Sequence, residues 1–125
     1  MHENELSGII VDACFKIHTS LGPGLLESVY EAALCHDLEL LQLEYTSQQA
    51  IPVVYKGIQL ELGFRADLIV MGKVLVELKS IENIAPVHKK IVLTYLRLTN
   101  LKVGLLINFN EALIKDGIYR LVNGL

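Results

Sequence analysis

Two acidic residues and a lysine stand in one short segment, at spacings that suit metal-dependent chemistry. Asp67 is followed by Glu77, and Lys79 comes two residues after that. A hairpin that pairs Val70 with Val74 places Asp67 directly opposite Glu77, with their β-carbons about 5 Å apart. The spacing therefore predicts two carboxylates and an ammonium group on one face of a two-stranded sheet.

Opposed like charges destabilise a hairpin, so something must offset the repulsion between Asp67 and Glu77. A divalent cation does so, because Mg²⁺ is commonly held by one or two carboxylates together with water and a phosphate oxygen. From the same strand face, Lys79 can hold or help deprotonate an attacking water, or stabilise charge on a phosphate. These parts suffice for metal-assisted hydrolysis of a phosphodiester.

The same register predicts two faces of different character. The face with the acids also pairs Ile69 with Leu75 and Arg65 with Lys79, and a slip of one residue would bury the charges. The opposite face is predicted to be wholly apolar, and its members are Ala66, Leu68, Val70, Val74, Val76 and Leu78.

A salt-bridge cluster is the alternative for these residues. Arg65 and Lys79 would then neutralise the two acids on a solvated sheet face, without any metal. An Asp and a Glu-x-Lys at this spacing also recur by accident in unrelated proteins. Taken alone, the segment leaves both interpretations open.

Glu27 supplies a third carboxylate. The preceding turn, Gly22-Pro23-Gly24, places it in the first turn of a helix, where the helix dipole keeps a carboxylate ionised. Tyr30 follows one turn later on the same helix face. Glu27 could complete the ligands of the metal, or it could merely cap its helix while Tyr30 lies in the core.

Three helices are predicted around this segment. Apolar residues recur at helical spacing from Leu6 to Leu21 and from Leu26 to Leu41, and the Gly-Pro-Gly turn separates the two helices. Pro86 opens a third helix over Val87 to Leu98, which Thr99-Asn100 ends.

The strand predictions complete an α+β fold. The β-prone segments are Ile51 to Tyr55, Ile58 to Leu62, Phe64 to Val70, Val74 to Lys79, Val103 to Asn108 and Ile118 to Val122. Two helices, antiparallel strands, a crossover helix and a further strand predict a central mixed sheet flanked by helices. We expect one domain over residues 1–125.

Composition limits the cellular setting. Apolar residues make up 52% and charged residues 20% of the 125 residues, which is enough for a packed core. We expect a soluble, cytoplasmic protein without a membrane partner, because no apolar run approaches the ~20 residues of a spanning helix and the start lacks a basic secretion signal. Cys14 and Cys35 are expected to be buried thiols rather than a disulfide.

The net charge of −3 conceals an asymmetry. Residues 1–62 carry −7, whereas residues 63–125 carry +4. A surface that faces phosphate is therefore expected from the second half, although ordinary scatter of solvated charge gives the same pattern. The negative total argues against a protein that coats nucleic acid indiscriminately.

The segment Gly24-Leu25-Leu26-Glu27-Ser28-Val29-Tyr30 resembles the signature of the bacterial GxxExxY protein family. The resemblance begins at Leu21 and covers almost the whole chain. Its other segments are Ile51 to Val53, Tyr55 to Gly57, Arg65 to Leu68, Val76 to Lys79, Thr94 to Thr99, Lys102 to Phe109 and Lys115 to Gly117.

That family in turn resembles the PD-(D/E)XK nuclease superfamily. The resemblance implies a restriction-endonuclease-like sheet with Glu27 as the helix-borne acid, Asp67 and Glu77 as the two metal-binding acids, and Lys79 as the lysine. The implied cofactor is Mg²⁺ or Mn²⁺, with the carbonyl of Leu78 as a further ligand. The implied substrate is nucleic acid, chiefly DNA.

The third helix departs from the family pattern. Tyr95 is kept, but Ile91 stands where the family carries a glutamine, and isoleucine can neither donate nor accept a hydrogen bond. Lys89 and Lys90 could hold a backbone phosphate, or they could be solvated surface lysines. His88 could orient a phosphate or cap the turn.

Two functions are predicted from this sequence. The first is a Mg²⁺- or Mn²⁺-dependent nuclease with Glu27, Asp67, Glu77 and Lys79 at its centre, and with nucleic acid held by Tyr30 and by the residues of the third helix. The second is a nuclease-like binding or assembly module with little turnover, which Ile91 favours. A structural homodimer is a third, weaker possibility, because the apolar content leaves room for a subunit interface.

Overall fold

The computed structural model describes the backbone of all 125 residues and the side chains of residues 1–60 and 63–125. In chain order the elements are α1 (Glu3–Leu21), α2 (Glu27–Leu40), β1 (Tyr45–Tyr55), β2 (Ile58–Val70), β3 (Val74–Lys79), α3 (Pro86–Thr99), β4 (Val103–Asn108), a 3₁₀ turn (Ile114–Gly117) and β5 (Ile118–Val122).

The strands form one sheet in the order β1-β2-β3-β4-β5. Neighbours are antiparallel except β3 and β4, which run parallel because α3 crosses between them. The predicted α+β fold with a central mixed sheet is therefore confirmed. β3 and β4 are buried along nearly their whole length, as their continuous apolar sequences predict.

The sheet separates two apolar cores. One core joins α1 and α2 to a face of the sheet that includes Leu68, Val76 and Leu105. The other joins α3 to the opposite face, through Leu75, Leu96 and other residues. Because helices cover both faces, a charged group on β3 must lie in a largely buried setting.

The β1–β2 hairpin is longer than predicted. β1 begins at Tyr45 rather than at Ile51, and β2 runs unbroken through Gly63, where we predicted a break. Glycine inside a strand often marks a bulge, and here the strand continues past it. The ladder accommodates the region with a register shift between Ile51 and Val53.

The register of the β2–β3 hairpin is the predicted one. Val70 pairs with Val74, Ile69 with Leu75, and Leu68 with Val76. The turn between them includes Gly72, whose φ of +63° suits glycine.

The ladder between β2 and β3 ends at the Leu68–Val76 pair, so the prediction that Arg65 opposes Lys79 is wrong. Arg65 pairs with Ala50 on β1 instead. Ala66 is also misplaced in our prediction, since it packs in the core beneath α3 and not with Leu68. The alternation of β2 residues between the two faces of the sheet is therefore interrupted at Asp67.

Both thiols are free, as predicted, but the prediction that both are buried is right only for Cys14, because Cys35 is half-buried. Cys14 is buried, and burial raises the pKa of its thiol to about 12. Among the described residues, no helix combines the length and the apolar character that a bilayer span requires.

Asn108 fixes the chain just after β3. Its buried side chain accepts a hydrogen bond from the Ile81 amide (3.1 Å) and donates one to the Ile81 carbonyl (2.9 Å). It also accepts from the amide of Asn110 at 3.3 Å. These bonds hold the segment that leaves β3 against the end of β4, so they position the residues that follow Lys79.

We predict that Asn108→Ala lowers the free energy of unfolding by about 1–3 kcal/mol, because it leaves partly buried backbone groups without partners. Urea denaturation followed by circular dichroism measures the loss. Asn110→Ala is the matched control, since it removes a neighbouring amide and should cost less than about 1 kcal/mol. Equal losses in the two variants would contradict this role for Asn108.

Candidate functional site

Asp67 and Glu77 meet where the β2–β3 ladder stops. The backbone amide of Asp67 donates to Oε1 of Glu77 at 3.0 Å, and the amide of Leu78 donates to Oδ2 of Asp67 at 2.8 Å. Each carboxylate therefore accepts a hydrogen bond from the backbone of the opposite strand. These two bonds fix both acids side by side, as the sequence predicted.

The environment of Glu77 disfavours its charge. The residue is 6% exposed, and burial together with the negative charge of Asp67 raises the pKa of Glu77 to about 8. The Asp67 amide and the positive charge of Lys79 lower that pKa, whereas Glu27 raises it. Three carboxylates and one ammonium group thus act on each other electrostatically.

The salt-bridge interpretation is not supported by the side chains that the structure describes. Among them, the only ion pair within 4.0 Å joins Lys16 to Asp12 on α1. Arg65 instead donates to the backbone carbonyl of Gln48 at 2.9 Å. No described arginine or lysine therefore neutralises Asp67 or Glu77 by direct contact.

Glu27 begins α2 and lies beside the end of β3. Its Oε2 accepts from the amide of Ser80 at 3.4 Å, and the hydroxyl of Ser80 donates to the carbonyl of Leu25 at 2.6 Å. These contacts attach the start of α2 to the segment that follows Lys79. The helix-borne acid is thereby held near the acid pair.

Tyr30 shapes the loop that presents Glu27. Its ring is fully buried and stacks on Phe109, with centroids 4.3 Å apart. Its hydroxyl donates to the Gly22 carbonyl at 2.6 Å and accepts from the Leu25 amide at 3.1 Å. Our prediction that Tyr30 binds nucleic acid is corrected, since the core and the backbone already occupy this side chain.

Tyr95 lies beside the acids on α3. Burial and the negative charges of Glu77 and Asp67 raise the pKa of its hydroxyl. Its ring packs at a tilt against Phe64 on β2, with centroids 5.3 Å apart. The structure therefore brings Tyr95 to the site, and its contact with nucleic acid stays a prediction.

The other residues predicted on α3 lie in different surroundings. Nδ1 of His88 accepts from the Ala85 amide at 2.8 Å, so this side chain caps the helix. Nζ of Lys89 lies 4.2 Å from the ring centre of Tyr119 on β5, two strands from β3. Lys90 is exposed at the surface of the helix.

Gln48 and Glu31 are site residues that our sequence reasoning missed. Nε2 of Gln48 donates to Oε1 of Glu31 at 2.7 Å and to Oδ1 of Asp67 at 3.2 Å. Gln48 has a φ of +53°, and the bond from Arg65 to its carbonyl holds this unusual backbone in place. Burial and the charge of Asp67 raise the pKa of Glu31.

A sequence signal existed for one of these two residues. Glu31 follows Glu27 by one helical turn, so both acids share a helix face. Gln48 carries no such signal, because nothing in its neighbourhood of the sequence indicates a left-handed backbone at that position.

The donor set suits a hard divalent cation. Two carboxylates converge without a described cationic partner, and Mg²⁺ is commonly held by one or two carboxylates plus waters. The described residues contain no group of three or more His, Cys, Asp or Glu side chains that could jointly hold a metal ion. The two carboxylates that this geometry brings together are those of Asp67 and Glu77, and the part of Glu27 in holding a metal stays a prediction.

Comparison with known proteins agrees with this geometry. The family model of the PD-(D/E)XK nuclease superfamily matches residues 4–121, a range that includes Glu27, both acids and Lys79. Searches of curated proteins and of solved structures give no match to the chain.

We predict that the metal-free Glu77→Gln variant becomes more stable than the metal-free wild type as the pH rises. The folded-state pKa of Glu77 lies above its usual value of 4.5, so wild-type folding takes up a proton between about pH 4.5 and 8 and loses stability over that window. The variant lacks this loss. The difference in free energy of unfolding between the variant and the wild type should grow by at most about 1.4 kcal/mol per pH unit across this window. Above about pH 8 the difference should stay constant.

Unfolding by urea in EDTA at several pH values measures this difference. Glu82→Gln makes the same charge change at an exposed position and serves as the control. If the Glu77→Gln and wild-type stabilities run parallel from pH 4 to 9, the buried-charge account of the site is wrong.

Proposed function

The chain belongs to the PD-(D/E)XK nuclease superfamily, and on this premise we propose that it is a metal-dependent nuclease. The observation that carries the proposal is the contact between Asp67 and Glu77. Two acids are fixed by backbone amides in a buried setting that raises the pKa of one of them. Such an arrangement costs stability unless a cation offsets it.

The cofactor we propose is Mg²⁺ or Mn²⁺. Asp67 and Glu77 would hold the ion, with the Leu78 carbonyl as a further oxygen ligand and Glu27 acting through water. When bound, the ion would polarise a phosphate oxygen and lower the pKa of a nearby water. Side chains of the protein would orient the water and the phosphate.

Lys79 is the proposed partner of the water and the phosphate. It follows Glu77 by two residues on β3, is half-buried, and its charge reaches Glu77. Its ammonium group can orient a water or donate to a phosphate oxygen. The water oxygen attacks phosphorus as the water gives up a proton to solvent, the bond from phosphorus to one bridging oxygen breaks, and that oxygen leaves with a proton taken from solvent. The products are a phosphomonoester and an alcohol.

We further propose membership of the GxxExxY family and DNA as the substrate. The contacts of Tyr30 support the first point, because its hydroxyl closes the glycine loop just before Glu27. The family motif thus joins a loop-fixing tyrosine to a site acid. A cytoplasmic location is also proposed, and two free thiols suit a reducing compartment.

A nuclease-like binding or assembly module is the second candidate. Ile91 favours it, because this residue is 37% exposed on the α3 face that leads to Tyr95 and offers no hydrogen bond. Such a module would bind metal and nucleic acid without turnover. A homodimer is compatible with both candidates and is measured by light scattering.

The central prediction concerns cleavage of plasmid and oligonucleotide DNA in Mg²⁺ or Mn²⁺. Asp67→Asn should abolish metal-dependent cleavage, since it removes a ligand charge while keeping the shape of the side chain. Lys79→Ala should slow cleavage by roughly 10²–10⁴-fold, the usual effect of losing a proton-transfer or charge-stabilising group.

Asp12→Asn on α1 is the matched control and should retain activity, because Asp12 is exposed and paired with Lys16. Cleavage that survives in Asp67→Asn or in EDTA would refute the nuclease proposal. Metal binding without any cleavage would select the binding module instead.

Gln48 provides a separate prediction on metal affinity. Gln48→Asn keeps a residue type that tolerates a positive φ, but its shorter amide loses reach to Asp67. Outer partners of ligating carboxylates typically contribute 10–100-fold to metal affinity, so we expect the Kd for Mn²⁺ to rise roughly tenfold or more.

Isothermal titration calorimetry with Mn²⁺ measures this affinity. Gln49→Asn is the matched control, because the side chain of Gln49 contacts Thr46 and not the acids. The prediction fails if Gln48→Asn binds Mn²⁺ as tightly as the wild type does.

A further inference from the structure

An apolar strip borders the acid centre on one side. It consists of Phe64 on β2 and Val87, Ile91 and Tyr95 on α3. Phe64 is 45% exposed, Val87 53% and Ile91 37%. The three α3 residues are spaced one turn apart, so they line one side of the helix. The strip begins where the rings of Phe64 and Tyr95 meet, 5.3 Å apart between centroids.

The position of the strip ties it to the acids. Phe64 precedes Asp67 by three residues on the same strand, and the charges of Glu77 and Asp67 reach the hydroxyl of Tyr95. A ligand with a phosphate at the acid centre would therefore place its neighbouring atoms over Phe64. The chemistry of the strip then limits what those atoms can be.

The described cations near the strip are few. Arg65 is exposed and charged, although one of its nitrogens donates to the Gln48 carbonyl, and Lys89 lies over Tyr119 on β5. Lys79 at the centre and the exposed Lys90 next to Ile91 are the other two. Binding to duplex nucleic acid depends on several lysine and arginine contacts with phosphates, and its bases are stacked inside the helix. This surface is poorly suited to that mode.

Unpaired nucleotides suit the strip better. An exposed aromatic ring can stack on any base face that is free, and this interaction does not depend on sequence. One or two lysines are enough to follow a single phosphate backbone. We infer that this protein binds single-stranded or locally unpaired nucleic acid, with a base next to the reactive phosphate stacked on Phe64. The inference rests on the proposed function and specifies its substrate.

A protein partner is the competing occupant of exposed apolar residues. Among the hairpin side chains that the structure describes, the most exposed apolar ones are Val54, Tyr55 and Ile58, which lie towards its far end, whereas Phe64 lies beside the acids. Proximity to the acid centre favours a nucleotide at Phe64, and binding measurements separate the two occupants.

Fluorescence anisotropy tests the inference with a labelled 12-nucleotide DNA strand and the same strand in a duplex. Ca²⁺ replaces Mg²⁺, so that binding is measured without turnover. We expect the single strand to bind more tightly than the duplex. Phe64→Ala should weaken single-strand binding roughly tenfold, whereas Phe64→Tyr should retain it because the ring can still stack.

Phe15→Ala is the matched control, because Phe15 is 40% exposed on α1 and lies outside the strip. Thermal melts establish that each variant is folded. Unchanged single-strand binding by Phe64→Ala, or tighter binding to the duplex, overturns the inference and leaves the nuclease proposal standing. Loss of a dimer in Phe64→Ala, measured by light scattering, overturns it in favour of a protein interface.

Failure of both the nuclease and the binding-module proposals gives a different result. In that case the wild type binds neither DNA form and cleaves neither in Mg²⁺ or Mn²⁺. Binding by the wild type that depends on Phe64, without cleavage, supports the inference for a binding module.

Discussion

The mutual hydrogen bonding of two acidic strand residues is the constraint on which this structure depends. Asp67 and Glu77 would separate if charge alone decided their positions, but each accepts a bond from the backbone of the other strand. Those bonds replace the ordinary ladder at the point where it stops. Burial, and after it the negative charge of Asp67, raises the pKa of Glu77, so ionising Glu77 costs stability in the protein without metal.

Three separate parts of the chain keep this arrangement rigid. β3 is buried on both faces, so the strand that carries Glu77 cannot shift sideways without disturbing two cores. Asn108 fixes the segment after β3, and the hydroxyl of Tyr30 fixes the loop before Glu27. Each of these polar groups is satisfied within the protein, which is the condition for a preorganised site.

The sequence predicts the structural features that depend on local periodicity. It does not predict the features that depend on contacts between residues far apart in the chain. The β2–β3 register follows from alternation and a short turn, and the buried strand β4 follows from its apolar run. The change of sheet face at Asp67 does not, because it accompanies a left-handed residue, Gln48, on another strand. The role of Tyr30 was equally hidden, since a core position and a ligand contact are compatible with the same helical spacing.

The position of Gln48 on β1 offers an explanation for isoleucine at position 91 of α3, where the family pattern carries a glutamine. The family resemblance leads one to expect an amide side chain on the helix beside the acids. In this chain an amide reaches Asp67 from the strand side, through Gln48. The strand can therefore orient the acid, while the helix face needs no polar group and presents Ile91 and Val87 to solvent. If the proposed function holds, β1 would orient Asp67 through Gln48, and the exposed face of α3 would be left for contact with the substrate.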